Sequence, residues 1–240
     1  METDVNRRRF MQGVGLAAAG ATAVTLASNT AARAATASAP SLPQFEPKPL
    51  PFDPKTIEGL SEKILVSHHD NNYVGAVKRL NAIKAQLDGL DFASAPGFQL
   101  NGLKREELIA MNSMILHEIY FAGFVGDAKP SKQLEVAIAR DFGSMERWQA
   151  EFIALGKAEG GGSGWVLLSY SPHDNRLVNQ WSADHTTNIA GGRPILALDM
   201  YEHAYQMDYG AKAGDYVAAF MKAMRWENAS KLFKRYTKEA

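Results

Sequence analysis

Between Ser61 and Leu87 the positions Ile64, His68, Asn72, Ala76, Leu80, Ile83 and Leu87 recur at three- and four-residue steps, which marks one face of a long helix. Ser61 stands where a side-chain cap would start it, and Asp53-Pro54 upstream has the cap-then-proline order of a separate helix start. Asp88-Gly89 and Pro96-Gly97 break the pattern. Lys104 to Phe124 is again broadly apolar and contains His117, so a second helix follows. The two predict an antiparallel helical hairpin over residues 53–128.

After the proline-containing joint at Asp127-Ala128-Lys129-Pro130, helical patterns follow Ser131 and Ser144, and Gly160-Gly161-Gly162 ends the second. The period then changes. Trp165 to Tyr170 and Arg176 to Trp181 read as strands joined by a Pro172-to-Asn175 turn, and Pro194 to Leu198 is a third strand ending in Asp199. Tyr201–Tyr209, Tyr216–Trp226 and Asn228–Lys238 are predicted helices. The fold class is therefore α+β: an N-terminal antiparallel helical hairpin domain (53–128), then a C-terminal α/β domain (129–240) with a three-stranded antiparallel sheet surrounded by helices. No internal repeat occurs.

The front of the chain follows other rules. Residues 35–52 hold five prolines between Pro40 and Pro51, which favours an extended segment over a helix. Before it, Arg7-Arg8-Arg9 precedes an uncharged run from Phe10 to Ala32 and a small-x-small sequence, Ala32-Arg33-Ala34. A transmembrane helix with a basic flank is the competing reading, but a run rich in Ala and Gly inserts poorly. Residues 1–34 are read as a twin-arginine signal peptide, of the kind that exports folded proteins. The expectation is a periplasmic protein with no stable membrane anchor after cleavage.

Composition narrows the chemistry. Lys and Arg number 26 against 26 Asp and Glu, so net charge gives no reason to expect nucleic-acid binding. Removing residues 1–34 takes away four basic and two acidic residues and leaves 22 against 24. There is no cysteine, which excludes disulfides, thiolate metal sites, iron–sulfur clusters and cysteine nucleophiles. Any metal must be held by nitrogen and oxygen.

Asp199 ends an apolar strand and His203 follows four residues later, which brings a carboxylate and an imidazole towards one point. His68 and His117 lie on the two apolar helix faces, where a polar side chain is costly unless satisfied. Singly, each is also read as a hydrogen-bonded core histidine. Together they form a three-His, one-Asp set suited to iron or manganese with a position left for substrate.

Longer motifs then carry a family resemblance. Leu50-Pro51-Phe52, His68-His69-Asp70 running without gaps to Leu80-Asn81, and Leu116-His117-Glu118-Ile119-Tyr120-Phe121 resemble the N-terminal half of the iron/manganese superoxide dismutases. Asp141-Phe142-Gly143-Ser144, Gly162-Ser163-Gly164-Trp165, Asp199 to Tyr205 and Trp226-Glu227-Asn228 match the C-terminal half in order and spacing. The resemblance covers the chain from about residue 48. It implies one iron or manganese ion per subunit, with His68, His117, Asp199 and His203 as ligands. It also implies superoxide as substrate and a homodimer in which Glu202 reaches the partner subunit's ligand histidine. Tyr201, Phe121 and Trp165 take the family's aromatic positions around the metal.

The departures are local. The gate positions four and eight residues after the first ligand, usually His and Tyr, are Asn72 and Ala76, and the usual Tyr three after the last ligand is Gln206. Asn72 and Gln206 are expected to bond each other. Tyr73 lies about 100° round an α-helix from the gate face, a poor substitute for the missing phenol. The family's solvent-bonding Gln is absent: one of its positions is Ser113, and the other is Ala183 or, with a two-residue shift, His185. His185 is the expected replacement. His69 is expected to pack or to meet a partner, and His173 to be solvated in a turn.

The implied activity is the conversion of superoxide to dioxygen and hydrogen peroxide through alternate reduction and oxidation of the metal. The alternative is a non-catalytic or weakly active metal-binding relative of the same fold, motivated by the altered gate. A ferritin-like dinuclear site is disfavoured, because no Glu-x-x-His motif occurs.

Overall fold

The computed structural model describes residues 44–159 and 162–238. The segment read as a signal peptide, residues 35–43 and Gly160-Gly161 lie outside the described residues. Residues 44–52 form neither helix nor strand. This segment is held against the helices by side chains: Asn81 exchanges two hydrogen bonds with the Phe45 backbone (2.9 and 2.8 Å), and the Lys48 N–H donates to the Tyr73 hydroxyl at 2.9 Å.

Asp53 caps only a single 3-10 turn, Pro54–Thr56, by accepting from the Lys55 N–H. Ser61 caps α1 (Glu62–Ser67), its side chain accepting from the Ile64 N–H at 3.1 Å. The helix then widens into a π segment, His68–Tyr73, before α2 (Val74–Asp88) resumes. This is a correction to the uniform helical stripe read from the sequence. A π turn takes up an extra residue, so the buried side slips by one position. Tyr73 becomes buried and Asn72 only half-buried, and Tyr73 lies on the interior side rather than off it. Beyond the slip, Ala76, Leu80, Ile83 and Leu87 are buried at their predicted places, and burying a side chain such as Leu80 contributes about 1.5–3 kcal/mol.

Helix α3 (Gly97–Ala122) starts earlier than predicted, because Pro96 serves as its N-terminal boundary instead of a break. It packs antiparallel on α2 and also on the sheet. Ser131 and Ser144 cap α4 (Lys132–Phe142) and α5 (Met145–Ala158) by accepting from the N–H three residues on.

The sheet has order β2-β1-β3, all antiparallel, from β1 (Trp165–Ser171), β2 (Arg176–Ser182) and β3 (Arg193–Asp199). Trp165 to Tyr170 is buried throughout, as befits the central strand, and only Ser169 interrupts its apolar run. Helix α3 packs on β3, and α5 packs on β1 and β2. Gly156 on α5 permits the close approach: a Cβ there would stand 3.0 Å from both Leu198 and Val217. The helix predicted over 201–209 is instead a 3-10 turn, Glu202–Ala204, and one helical turn, α6 (Gln206–Tyr209). Helices α7 (Ala213–Ala223) and α8 (Glu227–Tyr236) end the fold. A single apolar core runs from Leu60 to Phe233 through both halves. Among the described residues no helix is long and apolar enough to cross a membrane.

Candidate metal centre

Four elements aim side chains at one point. His68 opens the π segment, His117 lies on the interior face of α3, Asp199 ends β3, and His203 sits in the 3-10 turn after it. Their ligand atoms all lie within 4.8 Å of one another. Asp199 Oδ2 is 3.1 Å from His68 Nε2, 3.2 Å from His203 Nε2 and 3.6 Å from His117 Nε2. His68, His117 and Asp199 are buried, while the His203 side chain is 25% exposed, so the cluster opens on the His203 side.

The tautomer of His117 shows what such a cluster holds. Its Nδ1 is 2.6 Å from the Ser113 carbonyl, so Nδ1 carries the proton and Nε2 is a bare lone pair. That buried Nε2 has no hydrogen-bond partner and faces a carboxylate oxygen. Two lone pairs face to face in a dry interior repel, unless a cation lies between them. Burial pushes the His117 pKa down to about 3, with the His68 ring adding to it and Asp199 opposing. Burial also lowers His68, against the pull of Asp199. Burial alone would raise the Asp199 carboxyl, but His203 and His68 drive it well below the usual carboxylate range. Neutral imidazoles beside an ionised carboxylate are the protonation states that metal ligands need. The donor set therefore fits an iron or manganese ion.

Around the four stands a ring of aromatic groups. Phe121 is 5.1 Å and Tyr120 5.0 Å, centroid to centroid, from His68, and Trp165 meets His117 edge-on at 5.3 Å. The Trp165 indole N–H donates to His185 Nδ1 at 3.0 Å, which places the His185 proton on Nε2. His185 stacks on Tyr201 at 4.7 Å, and Tyr201 stacks on His203 at 5.2 Å. Burial raises the Tyr201 phenol to about 12, so it stays neutral. Asn112 donates to the His185 carbonyl at 2.6 Å, and the His185 ring lies 6.1 Å from the His117 ring.

The gate positions differ from their expectation. Among the described residues no hydrogen bond joins Asn72 to Gln206, because Gln206 opens α6 on the exposed surface. Tyr73 does not replace the missing phenol either: its hydroxyl donates to Glu118 at 3.1 Å and accepts from Lys48. Ala76 is buried. Glu202 is exposed, next to the opening. His69 packs, 2.8 Å from the Lys48 carbonyl, and His173 is exposed.

Sequence reasoning missed several supports. Tyr216 donates to the Asp199 carbonyl at 2.7 Å, and the Tyr201 N–H donates to Asp199 Oδ1 at 2.8 Å. Ser113, considered only as a vacated glutamine position, orients His117 through its backbone. The last was findable, because a residue four before a helical histidine offers its carbonyl to that ring; Tyr216 had no local signal.

Comparison with known proteins agrees. Residues 130–232 match the profile of the iron/manganese superoxide dismutase C-terminal domain. A "Superoxide dismutase [Fe]" of Cupriavidus metallidurans is 64% identical over 189 residues, covering 79% of this chain and 96% of that protein. "Superoxide dismutase [Mn] 1" of Halobacterium salinarum is 36% identical over 80% of this chain and 96% of its own length. An Aquifex pyrophilus "Superoxide dismutase [Fe]" is 31% identical over 81% and 93%. The His and Asp cluster, the sheet that carries it and these similarities agree: the chain belongs to the iron/manganese superoxide dismutase family.

Proposed function

We propose that this protein is a superoxide dismutase working with one iron ion held by His68, His117, Asp199 and His203. Two superoxide ions and two protons become dioxygen and hydrogen peroxide. The observation that carries the reading is the convergence of three imidazole nitrogens on one ionised, buried carboxylate oxygen. The choice of iron over manganese is supported by the 64% identical relative, whose name specifies iron. The metal, when bound, supplies the one-electron couple that one superoxide reduces and the next reoxidises.

The chain's own residues do the rest. Asp199 gives the donor set a single negative charge, so a di- or trivalent cation leaves a positive well for an anionic substrate. That local field outweighs the slight acidity of the chain without residues 1–34. Phe121, Tyr120 and Trp165 exclude water from the buried wall. His185, fixed by Trp165, offers its Nε2–H as a donor and proton relay on the ligand side. Buried Ala76 leaves the gate without a phenol, and among the described residues Asn72 and Gln206 do not bond each other to replace its usual pair.

The arginine run and uncharged stretch of residues 1–34 support twin-arginine export, so the mature protein works in the periplasm without a membrane anchor. The exposure of Glu202 beside the open side of the site supports a homodimer in which Glu202 approaches the partner subunit's ligand histidine. Loading the protein separately with iron and with manganese, then measuring superoxide turnover and sedimentation, tests these readings. Turnover by the iron form and a dimeric mass are the expected results. Full iron content without turnover would instead establish the non-catalytic relative.

A further inference from the structure

Glu159 follows α5 and is only 5% exposed, yet the metal centre makes no direct use of it. Its Oε1 accepts from the Ser182 backbone N–H at 3.2 Å, and its Oε2 has no hydrogen-bond partner among the described residues. The same carboxyl lies against Gly164: a Cβ there would stand 2.4 Å from Oε2 and 2.7 Å from Cδ. Gly164 also has φ +132°, which side-chain-bearing residues rarely adopt, so this position is reserved for glycine on two grounds.

The sheet register explains why that contact matters. Ser182, Trp165 and Asp199 form one row across the three strands. The Glu159 carboxyl touches this row at Ser182 and at the residue before Trp165. From Ser182 the connection runs into the loop of His185, since the Ser182 hydroxyl donates to the Asp184 carbonyl at 3.0 Å. Ser163 ties the same loop by donating to the Ala183 carbonyl at 3.2 Å. From Gly164 the connection runs to β3, because its carbonyl accepts from the Met200 N–H at 2.9 Å. One buried carboxyl thus braces the turn before Trp165 against the loop that carries His185.

We propose that Glu159 is a positioning residue for superoxide turnover, wedged between Gly164 and Ser182 so that the Trp165–His185 hydrogen bond keeps its place beside the ligands. The inference rests on the dismutase reading. Burial pushes the Glu159 carboxyl up to about 8, with the Ser182 N–H opposing and the Asp199 charge adding, so the group is the neutral acid at pH 7. Glutamine then reproduces both its shape and its acceptor, whereas alanine removes the brace.

Iron-loaded parent, Glu159→Gln and Glu159→Ala proteins are to be compared at pH 7 by superoxide turnover. Azide, titrated into the oxidised iron form by visible absorption, serves as an anion probe. Glu159→Gln should match the parent within about twofold in both, while Glu159→Ala should lose about tenfold in turnover and shift azide affinity about threefold, at equal iron per subunit. If the parent itself does not turn over, the dismutase reading fails, but the azide shift still reports on Glu159. Equal turnover and azide affinity in parent and Glu159→Ala would overturn the proposal, as would Glu159→Gln being as impaired as Glu159→Ala. Should the alanine variant not fold, Glu159→Asp, too short to reach Ser182, takes its place with the same expected shift, and no shift there overturns it.

Discussion

His68 and His117 reach the metal centre from the interior of two long helices, whereas Asp199 and His203 come from one short segment at the end of a strand. The first pair is sealed in the core, and His117 is oriented by its own helix backbone. The second pair is built on the row Ser182–Trp165–Asp199, with His203 facing the open side. The helical half therefore forms dry wall throughout, while the sheet half combines buried Trp165 and Asp199 with the open side at His203. His185 and Glu159, for which modulating roles are proposed, and Tyr201, stacked between His185 and His203, all lie on the sheet half.

Substitutions can break that division. The largest effect is expected from Asp199→Ala, which removes the only anion among the ligands: metal content should fall at least tenfold and turnover vanish, read by elemental analysis and assay. His203→Ala comes next. It should also lose most of the metal, but its side chain is partly exposed, so thermal unfolding should stay cooperative with a midpoint close to that of the metal-free parent. Unchanged metal content would remove Asp199 and His203 from the site.

His185→Ala should keep the metal and lower turnover about tenfold, with an altered pH profile. Retained turnover and an unaltered profile would mean that the stacked His185 is only packing. On the helical wall, Tyr73→Phe should cost about 1–2 kcal/mol in denaturant unfolding by unpairing the Lys48 N–H and leaving Glu118 only its Lys48 ammonium partner, with turnover unchanged. A large loss of turnover would show that the Tyr73 hydroxyl serves the chemistry after all.

The smallest effect concerns pH. The folded pKa of Glu159, about 8, lies above its ordinary 4.5, so its contribution to stability is full below 4.5 and is lost as pH rises through about 8. Glu159→Gln should therefore flatten the alkaline fall in thermal midpoint by about a few degrees between pH 5 and 9. Identical slopes would show that the carboxyl is not neutral in the folded state.

Much of this was legible in residue order. The strand pattern of 165–182, the cap at Ser61, the helix starts after Ser131 and Ser144, and the Asp199/His203 spacing depend on nearest neighbours along the chain, and the structure reproduces them. The helix predicted over 201–209 was not reproduced, because the turn bends to bring His203 back to Asp199. The slip at His68–Tyr73 was also invisible, since an extra residue in a helical turn leaves no mark in composition.

By itself the sequence determined the α+β order of elements, the nitrogen-and-oxygen donor set and the family. Those follow from periodicity, from the absence of cysteine and from motifs that are short in sequence. Only the tertiary structure decided that Tyr73 is buried and pairs with Glu118, that Tyr216 holds Asp199, and that Glu159 braces the turn under Trp165. Each of those depends on which distant surfaces pack together, and packing shape and burial are properties of the folded core that no local stretch of chain encodes.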